Sequence, residues 1–437
     1  DKNVYNWGYD PKNYNVPEGS YSTDPANPYS RIIEFKKMVQ TLHQNGIRVI
    51  MDVVYNHTFV GETSHLNLLV PKYFYRFNED GTWSNASGCG NETASERAMV
   101  RRFIVESVKY WVKEYHIDGF RFDLMGIHDI ETMNIIRAAL DDIDPTISIH
   151  GEGWTAAGSP LAEDLRAFKQ YAQKFYPTGV FSDDIRDAIR GNWTEGDKGG
   201  FVAGNGYEES IKFGVVGATA HPQVNLADVC HSSAAYAQSA CQTINYASCH
   251  DDPCFTDKMR AVLPNAAESE LLDIDKLAQT IVLTSQGVPF IFAGEEIFRN
   301  KKGVHNSYNS PDSINLIDWS YKAKYRDLFD YYRGLIELRK AHPAFRMTSA
   351  SQIQDNLKFL ETAPNIVAYT INNHANNDMW KTILVIYNGN RTAADFALPE
   401  GTWTAVCLNG KINLQGIETL SGNVKISGSS AGVFWCN

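Results

Sequence analysis

IRVIMDVVYNH, residues 47–57, begins as a run that is apolar on both faces and ends in polar chemistry. A strand with one wet face alternates; a β-branched run without alternation is the pattern of a parallel strand covered on both sides. The segment before it fits a helix, with Ser30 as cap, Ile32, Ile33, Phe35, Met38, Val39 and Leu42 as its stripe, and Gly46 as its stop. After it come a Gly/Asn/Ser-rich loop over 76–93 and a helix over 95–115 with the stripe Met99, Val100, Phe103, Ile104, Val108, Trp111, Val112 and Tyr115. IDGFRFDL (117–124) and ISIHGEG (147–153) read as the next strands, with a helix near 128–142 between them. The series continues in strands at 179–182, 243–248 and 288–294 and helices at 159–174, 184–190, 271–285 and 323–341. Repeated βα units with apolar strands imply a parallel sheet, open with helices on both faces or closed into a barrel.

Past His342–Pro343 the pattern changes. NIVAYTI (365–371) and KTILVIY (381–387) are short runs separated by Asn/Gly turns, NGN (388–390) and NGK (409–411). That is the pattern of an antiparallel β-sandwich, so we divide the chain into a catalytic domain, 1–345, and an all-β domain, 346–437. The 437 residues are 43% hydrophobic and 21% charged, a globular rather than disordered composition. A net charge of −11 repels phosphate backbones and argues against nucleic acid as a partner. The longest weakly polar run, Ile281 to Gly294, is broken by Ser285 and Gln286 and is too short to span a bilayer. Aromatic residues make up 12% of the chain, which suits sugar faces and cores equally. Seven cysteines are an odd number with no CxxC, so at least one is unpaired within the chain. Nothing in the sequence chooses between envelope, secreted and cytoplasmic locations.

Four of the candidate strands deliver a carboxylate at the same end: Asp52, then Asp123, Glu152 and Asp251. In a parallel barrel that end is the active-site face. Each residue alone has a plainer reading, since an Asp after a strand is usually a cap or turn residue, and an exposed Arg–Asp pair is worth little. Arg121 and Asp123, however, are two apart and share a strand face, while Phe120 and Phe122 take the other. An inward Arg beside an inward Asp is costly unless a function keeps both. Such a pocket suits glycoside cleavage, in which one carboxylate attacks and a second carboxyl protonates the leaving oxygen. Arg121 would keep Asp123 ionised, and Trp154 would exclude water from Glu152. His57 and His250 could donate to sugar hydroxyls. A metal site of Asp52, His57, His250 and Asp251 is disfavoured, because no close His/carboxylate pair lies on a helix.

DVVYNH (52–57), GFRFDLMG (119–126), GEGW (151–154) and SCHDD (248–252) resemble, in order, the four conserved regions of the α-amylase superfamily, glycoside hydrolase family 13. YNWGYDP (5–11) looks like the signature of type I pullulanases, which debranch starch. NYNVPEGSYSTDP (13–25), GCGNETASER (88–97) and HNSYNSPDSINLIDW (305–319) are similar to stretches of the same enzymes. The resemblance covers nearly the whole chain. It implies a (β/α)8 TIM barrel followed by a C-terminal sandwich, and retaining hydrolysis of α-1,6-glucosidic linkages in pullulan, amylopectin or limit dextrins. By the same resemblance, Asp123 is the nucleophile, Glu152 the general acid and then base, and Asp251 the third carboxylate. Arg121 orients Asp123, His57 and His250 bind hydroxyls, and Tyr9 stacks under the cleaved sugar. Trp154 lies on the leaving-group side, and Asp52 and Asn56 organise the surrounding loops.

The fourth region departs from the family in having Asp252 where Asn is usual, and Cys249 and Cys254 flank it; we read both as buried free thiols. In the family YNWGYDP follows the second barrel strand. The strands placed here would then be numbers three to eight, and an open remnant of six would expose two edges and half of the core. The expected partners are therefore an α-glucan and a missing N-terminal segment of the same enzyme. No cofactor is required; calcium is compatible with the resemblance, although no local ligand run is present. Competing readings are an α-1,4-acting amylase or another debranching enzyme and, from a different class, a non-catalytic starch-binding protein or inactive fragment.

Overall fold

The computed structural model describes residues 5–437. Its backbone divides into two compact units, one running to Phe181 and the other Ser182–Asn437. Tyr5, the first residue of YNWGYDP, begins the described chain.

The first unit holds four short parallel strands, β1 (Ile50–Val53), β2 (Gly119–Phe122), β3 (Ser148–Gly151) and β4 (Gly179–Phe181), paired in that order. The register places Asp52, Arg121 and His150 side by side across three of them. Phe120 and Phe122 are fully buried on the opposite face. The helix Pro28–Gln44 starts earlier than Ser30, because Asn27 caps Tyr29 N and Pro28 occupies the first helical position. Asn45 and Gly46, the latter at φ +72°, end it. The helix Ala98–Tyr115 buries the expected stripe apart from Phe103, which is half-buried, and Met99, which faces solvent.

Two expectations need correction in this unit. β1 is not covered on both sides: among the described strands it pairs only with β2, and Ile50 is 47% exposed. Ile33 and Met38 of the preceding helix are exposed as well, as an open sheet edge would leave them. The expected helix over 159–174 is replaced by two 3-10 segments, Glu163–Leu165 and Lys169–Phe175. There the amides of Ala167 and Lys169 bond the carbonyls of His128 and Gly153, so tertiary acceptors take donors that an α-helix would use internally.

In the second unit β5 (Thr243–Asn245) pairs in parallel with β6 (Val288–Pro289). The apolar run 288–294 pairs over only two residues, and the chain turns at Gly294 (φ +95°) into the 3-10 segment Glu295–Ile297. The helices Asp183–Arg190, Glu268–Thr284 and Arg326–Ala341 stand within three residues of expectation at each end; Glu208–Val215 and Phe255–Val262 were not anticipated. Near residue 350 the architecture changes to antiparallel strands: β7 (Leu357–Phe359), β8 (Ile366–Ile371), β9 (Thr382–Asn388), β10 (Ala394–Ala397), β11 (Trp403–Leu408), β12 (Lys411–Ile412), β13 (Glu418–Leu420), β14 (Asn423–Ile426) and β15 (Ser430–Cys436). Seven form one sheet in the order β12-β11-β15-β9-β8-β7, with β13 on β11, and β10 and β14 form a second.

Period-two alternation explains the two layers. Val367, Tyr369 and Ile371 of β8 point into a core shared with the helices Glu268–Thr284 and Arg326–Ala341, whereas Ile366 and Ala368 point into a smaller core closed by Val424 and Ile426 of β14. The sandwich sheet is thus fastened to helices of its own unit, and Tyr369 Oη donates to the carbonyl of Thr284 at 3.0 Å. No described helix is long and apolar enough to cross a membrane. All seven cysteines are unpaired; Cys254 is buried and Cys249 half-buried.

Candidate active site

The centre of the first unit's site is Arg121, held inside β2 between strands that both offer carboxylates. Nη1 lies 2.9 Å from Asp52 Oδ1 and 2.8 Å from Asp123 Oδ1, and Nη2 lies 2.9 Å from Glu152 Oε1. Burial works against the guanidinium charge, but Glu152, Asp52 and Asp123 more than offset it and leave Arg121 firmly protonated. Tyr9 donates its hydroxyl to Asp52, and its ring lies 5.8 Å from the guanidinium carbon. One fork thereby joins Tyr9, Asp52, Asp123 and Glu152.

Both oxygens of Asp123 are held. Arg121 takes Oδ1, and Asn56 Nδ2 donates to Oδ2 at 2.7 Å and to the Asp123 carbonyl at 2.7 Å. Asn56 Oδ1 in turn contacts His57 Nδ1. Burial pushes the His57 imidazole below its ordinary value, so it is neutral at neutral pH. Glu152 follows β3 directly, and its Oε2 accepts from Leu124 N at 2.8 Å. Leu124 itself stands in the left-handed region at φ +38°. Trp154, two residues on, is half-buried. The loop GCGNETASER is tied to the same region, since Asn91 bonds both the amide and the carbonyl of Thr58 beside His57.

His250 and Asp251 lie in the second unit, after β5, with His250 Nε2 at 3.6 Å from Asp251 Oδ2. The turn that carries them is fixed from beneath. Lys301 Nζ donates to the carbonyls of His250 (2.7 Å), Asp252 (2.8 Å) and His305 (3.2 Å). Asp252 adopts φ +60° and faces Arg190 Nη2 at 3.4 Å, Arg186 Nη1 at 3.9 Å and His305 Nε2 at 3.4 Å. Arg186 clamps Asp187 at 2.7 and 3.0 Å, and His231 Nε2 meets Asp187 at 2.8 Å. Sequence reading placed the helix of Arg186, Asp187 and Arg190 but missed their part. The signal was there: DDIRDAIR carries five charges on eight residues and still folds into a buried helix.

Residues 353–411 match the family described as "Pullulanase, all-beta domain". A pullulanase of Bacillus subtilis is 42% identical over 397 residues, covering 91% of this chain and 54% of that protein. The solved pullulanase of Bacillus acidopullulyticus superposes with a TM-score of 0.93 at 44% identity, over 100% of this chain and 52% of that one. The chain is thus similar to pullulanases along nearly its whole length. Its fold is that of a TIM-barrel-like domain followed by a β domain. The pullulanase of Paenibacillus barengoltzii, solved with maltohexaose and alpha-cyclodextrin, matches at TM-score 0.89 and 44% identity, over 99% of this chain and 65% of that one. The chain therefore spans about half to two thirds of the length of these relatives. Its Asp252, the departure from the usual Asn, is accommodated by the two arginines that face it.

Proposed function

We propose that this chain carries the catalytic residues of a retaining glycoside hydrolase that cleaves α-1,6-glucosidic linkages in α-glucans such as pullulan. The observation that carries the reading is the Arg121 fork, which holds Asp123 and Glu152 on its two terminal nitrogens at 2.8 and 2.9 Å. Two carboxyls sharing one guanidinium are close neighbours, and retention requires about 5–5.5 Å between them. Asp123, anchored at both oxygens, attacks the anomeric carbon and forms a glycosyl ester. Glu152 gives its proton to the departing glycosidic oxygen. It then takes a proton from water, whose oxygen breaks the ester and regenerates Asp123. The resemblance gives His57 a contact with a hydroxyl of the bound sugar, and Tyr9, held on Asp52, offers its ring beneath it. The resemblance of SCHDD gives Asp251 the third role, favouring the oxocarbenium-like state, and gives His250 a hydroxyl contact. Trp154 flanks the leaving-group side. Carboxyls and water suffice for this chemistry, without an organic cofactor.

Support for the α-1,6 preference comes from the relatives named pullulanase and from YNWGYDP. Support for an α-glucan comes from the relative solved with maltohexaose. Product analysis on pullulan tests the reading: maltotriose as the sole product is expected, and intact pullulan beside digested amylose would refute it. Glu152→Gln should lower turnover by about 10²–10⁴-fold, the usual share of general acid–base catalysis, and leave oligosaccharide binding in place. Unchanged turnover would remove Glu152 from this role.

A further inference from the structure

RGNWTEGDK (190–198) is polar, broken by glycine and lacks an apolar stripe, yet it displays a tryptophan, Trp193, that is 41% exposed. The loop is held by buried cations rather than by a core. Lys258, 1% exposed, donates Nζ to the carbonyls of Asn192 (2.9 Å), Glu195 (2.5 Å) and Gly196 (3.3 Å). An ammonium has three protons, and three loop carbonyls take them. Arg190, fully buried, gives Nη1 to the carbonyl of Pro253 at 2.7 Å. Gly191, at φ +87°, makes the return possible: a Cβ there would fall 2.3 Å from the Lys198 carbonyl oxygen.

What this scaffold presents is an aromatic pair. The Trp193 and His305 rings lie 5.1 Å apart at 48°. His305 is anchored on Asp252, and Lys301 joins the carbonyls of His305, His250 and Asp252 through one ammonium. The pair is therefore fastened to the turn that carries Asp251. A pyranose has an apolar C–H face and a polar rim; an indole face meets the first, and an imidazole beside it can bond the second.

We propose that Trp193, backed by His305, is a stacking platform for a glucose ring of the bound α-glucan, and that Lys258 is the positioning residue that holds it there. The assignment of an α-glucan rests on the hydrolase reading above.

The test is titration calorimetry with maltotetraose in a Glu152→Gln background, paired with pullulan kinetics in the otherwise unaltered chain. Trp193→Ala should weaken maltotetraose binding and raise KM by about tenfold, the scale of one well-packed aromatic contact, with kcat changed less than about twofold. Trp193→Phe should retain most of the affinity. Lys258→Met should raise KM in the same direction without loss of kcat; if that variant does not fold, the exposed Trp193 decides alone. Maltotetraose binding that is unchanged in Trp193→Ala, or absent from the starting protein, overturns the proposal. Trp193-dependent binding in a chain that leaves pullulan intact supports the platform and refutes the hydrolase reading, so the two fail separately.

Discussion

Arg121 is one residue asked to hold three carboxyl groups. Its planar fork reaches Asp52, Asp123 and Glu152 at once, which a single ammonium on a flexible stem does not reproduce. Arg121→Met should lower kcat on pullulan by about 10²-fold or more, comparable to loss of a preorganised donor, and Arg121→Lys should recover little of it. Far-UV circular dichroism of each variant checks that the fold survives. That Arg121 and Asp123 share a strand face was legible from spacing two. That Glu152 takes the other end of the same guanidinium was not, because it depends on the pairing of β2 with β3. A second residue-scale prediction concerns His231. The hydrogen bond to Asp187 raises its imidazole to about 10. A cation favoured by folding stabilises fully below its unfolded value near 6.5, and that stability is lost as pH rises toward 10. Thermal melts of His231→Gln against the parent protein should show a gap that is widest at pH 6 and narrows toward pH 10. A gap independent of pH would refute the ion pair.

At the scale of elements, local signals worked where the backbone satisfies itself and failed where tertiary partners intervene. Asp129 shows the first case. It caps the helix Ile130–Asp141 by accepting from Thr132 N at 2.9 Å, and it also takes the Ser95 hydroxyl at 2.6 Å and Arg101 at 3.1 Å. Burial pushes its carboxyl up, but these hydrogen bonds and the arginine bring it below the ordinary value. Asp129→Ala should cost roughly 2 kcal/mol, a lost cap plus unpaired buried donors, read as a lower urea midpoint at unchanged slope. The cap's share should fade as pH falls below about 4, since a depressed carboxyl stabilises above its unfolded value and is lost on protonation. The segment 159–174 shows the second case. Its composition favours helix, yet carbonyls of His128 and Gly153, distant in sequence, claim its amides.

At the scale of the whole molecule, buried acids set the pH dependence of stability. Glu295, 2% exposed, is raised to about 8 by burial, and Asp275, fully buried, to about 7. A carboxyl raised by folding stabilises below its unfolded value, and this contribution is lost as pH climbs through the folded value. Between about pH 4.5 and 8 the melting temperature should therefore carry a downward term, and Glu295→Gln should flatten it. A parallel profile for the variant would show that Glu295 is ionised throughout. The sequence by itself determined the parallel α/β layer, the antiparallel domain after it and the positions of the carboxylates, because periodicity and strand-end chemistry are local properties of the chain. Only the tertiary structure decided that one guanidinium gathers Asp52, Asp123 and Glu152. It likewise decided that Asp252 is held by two arginines from a helix 62 residues upstream, and that a buried lysine displays Trp193. Those outcomes depend on which side chains meet across strands and loops, and contacts between residues distant in the chain leave no period in the sequence.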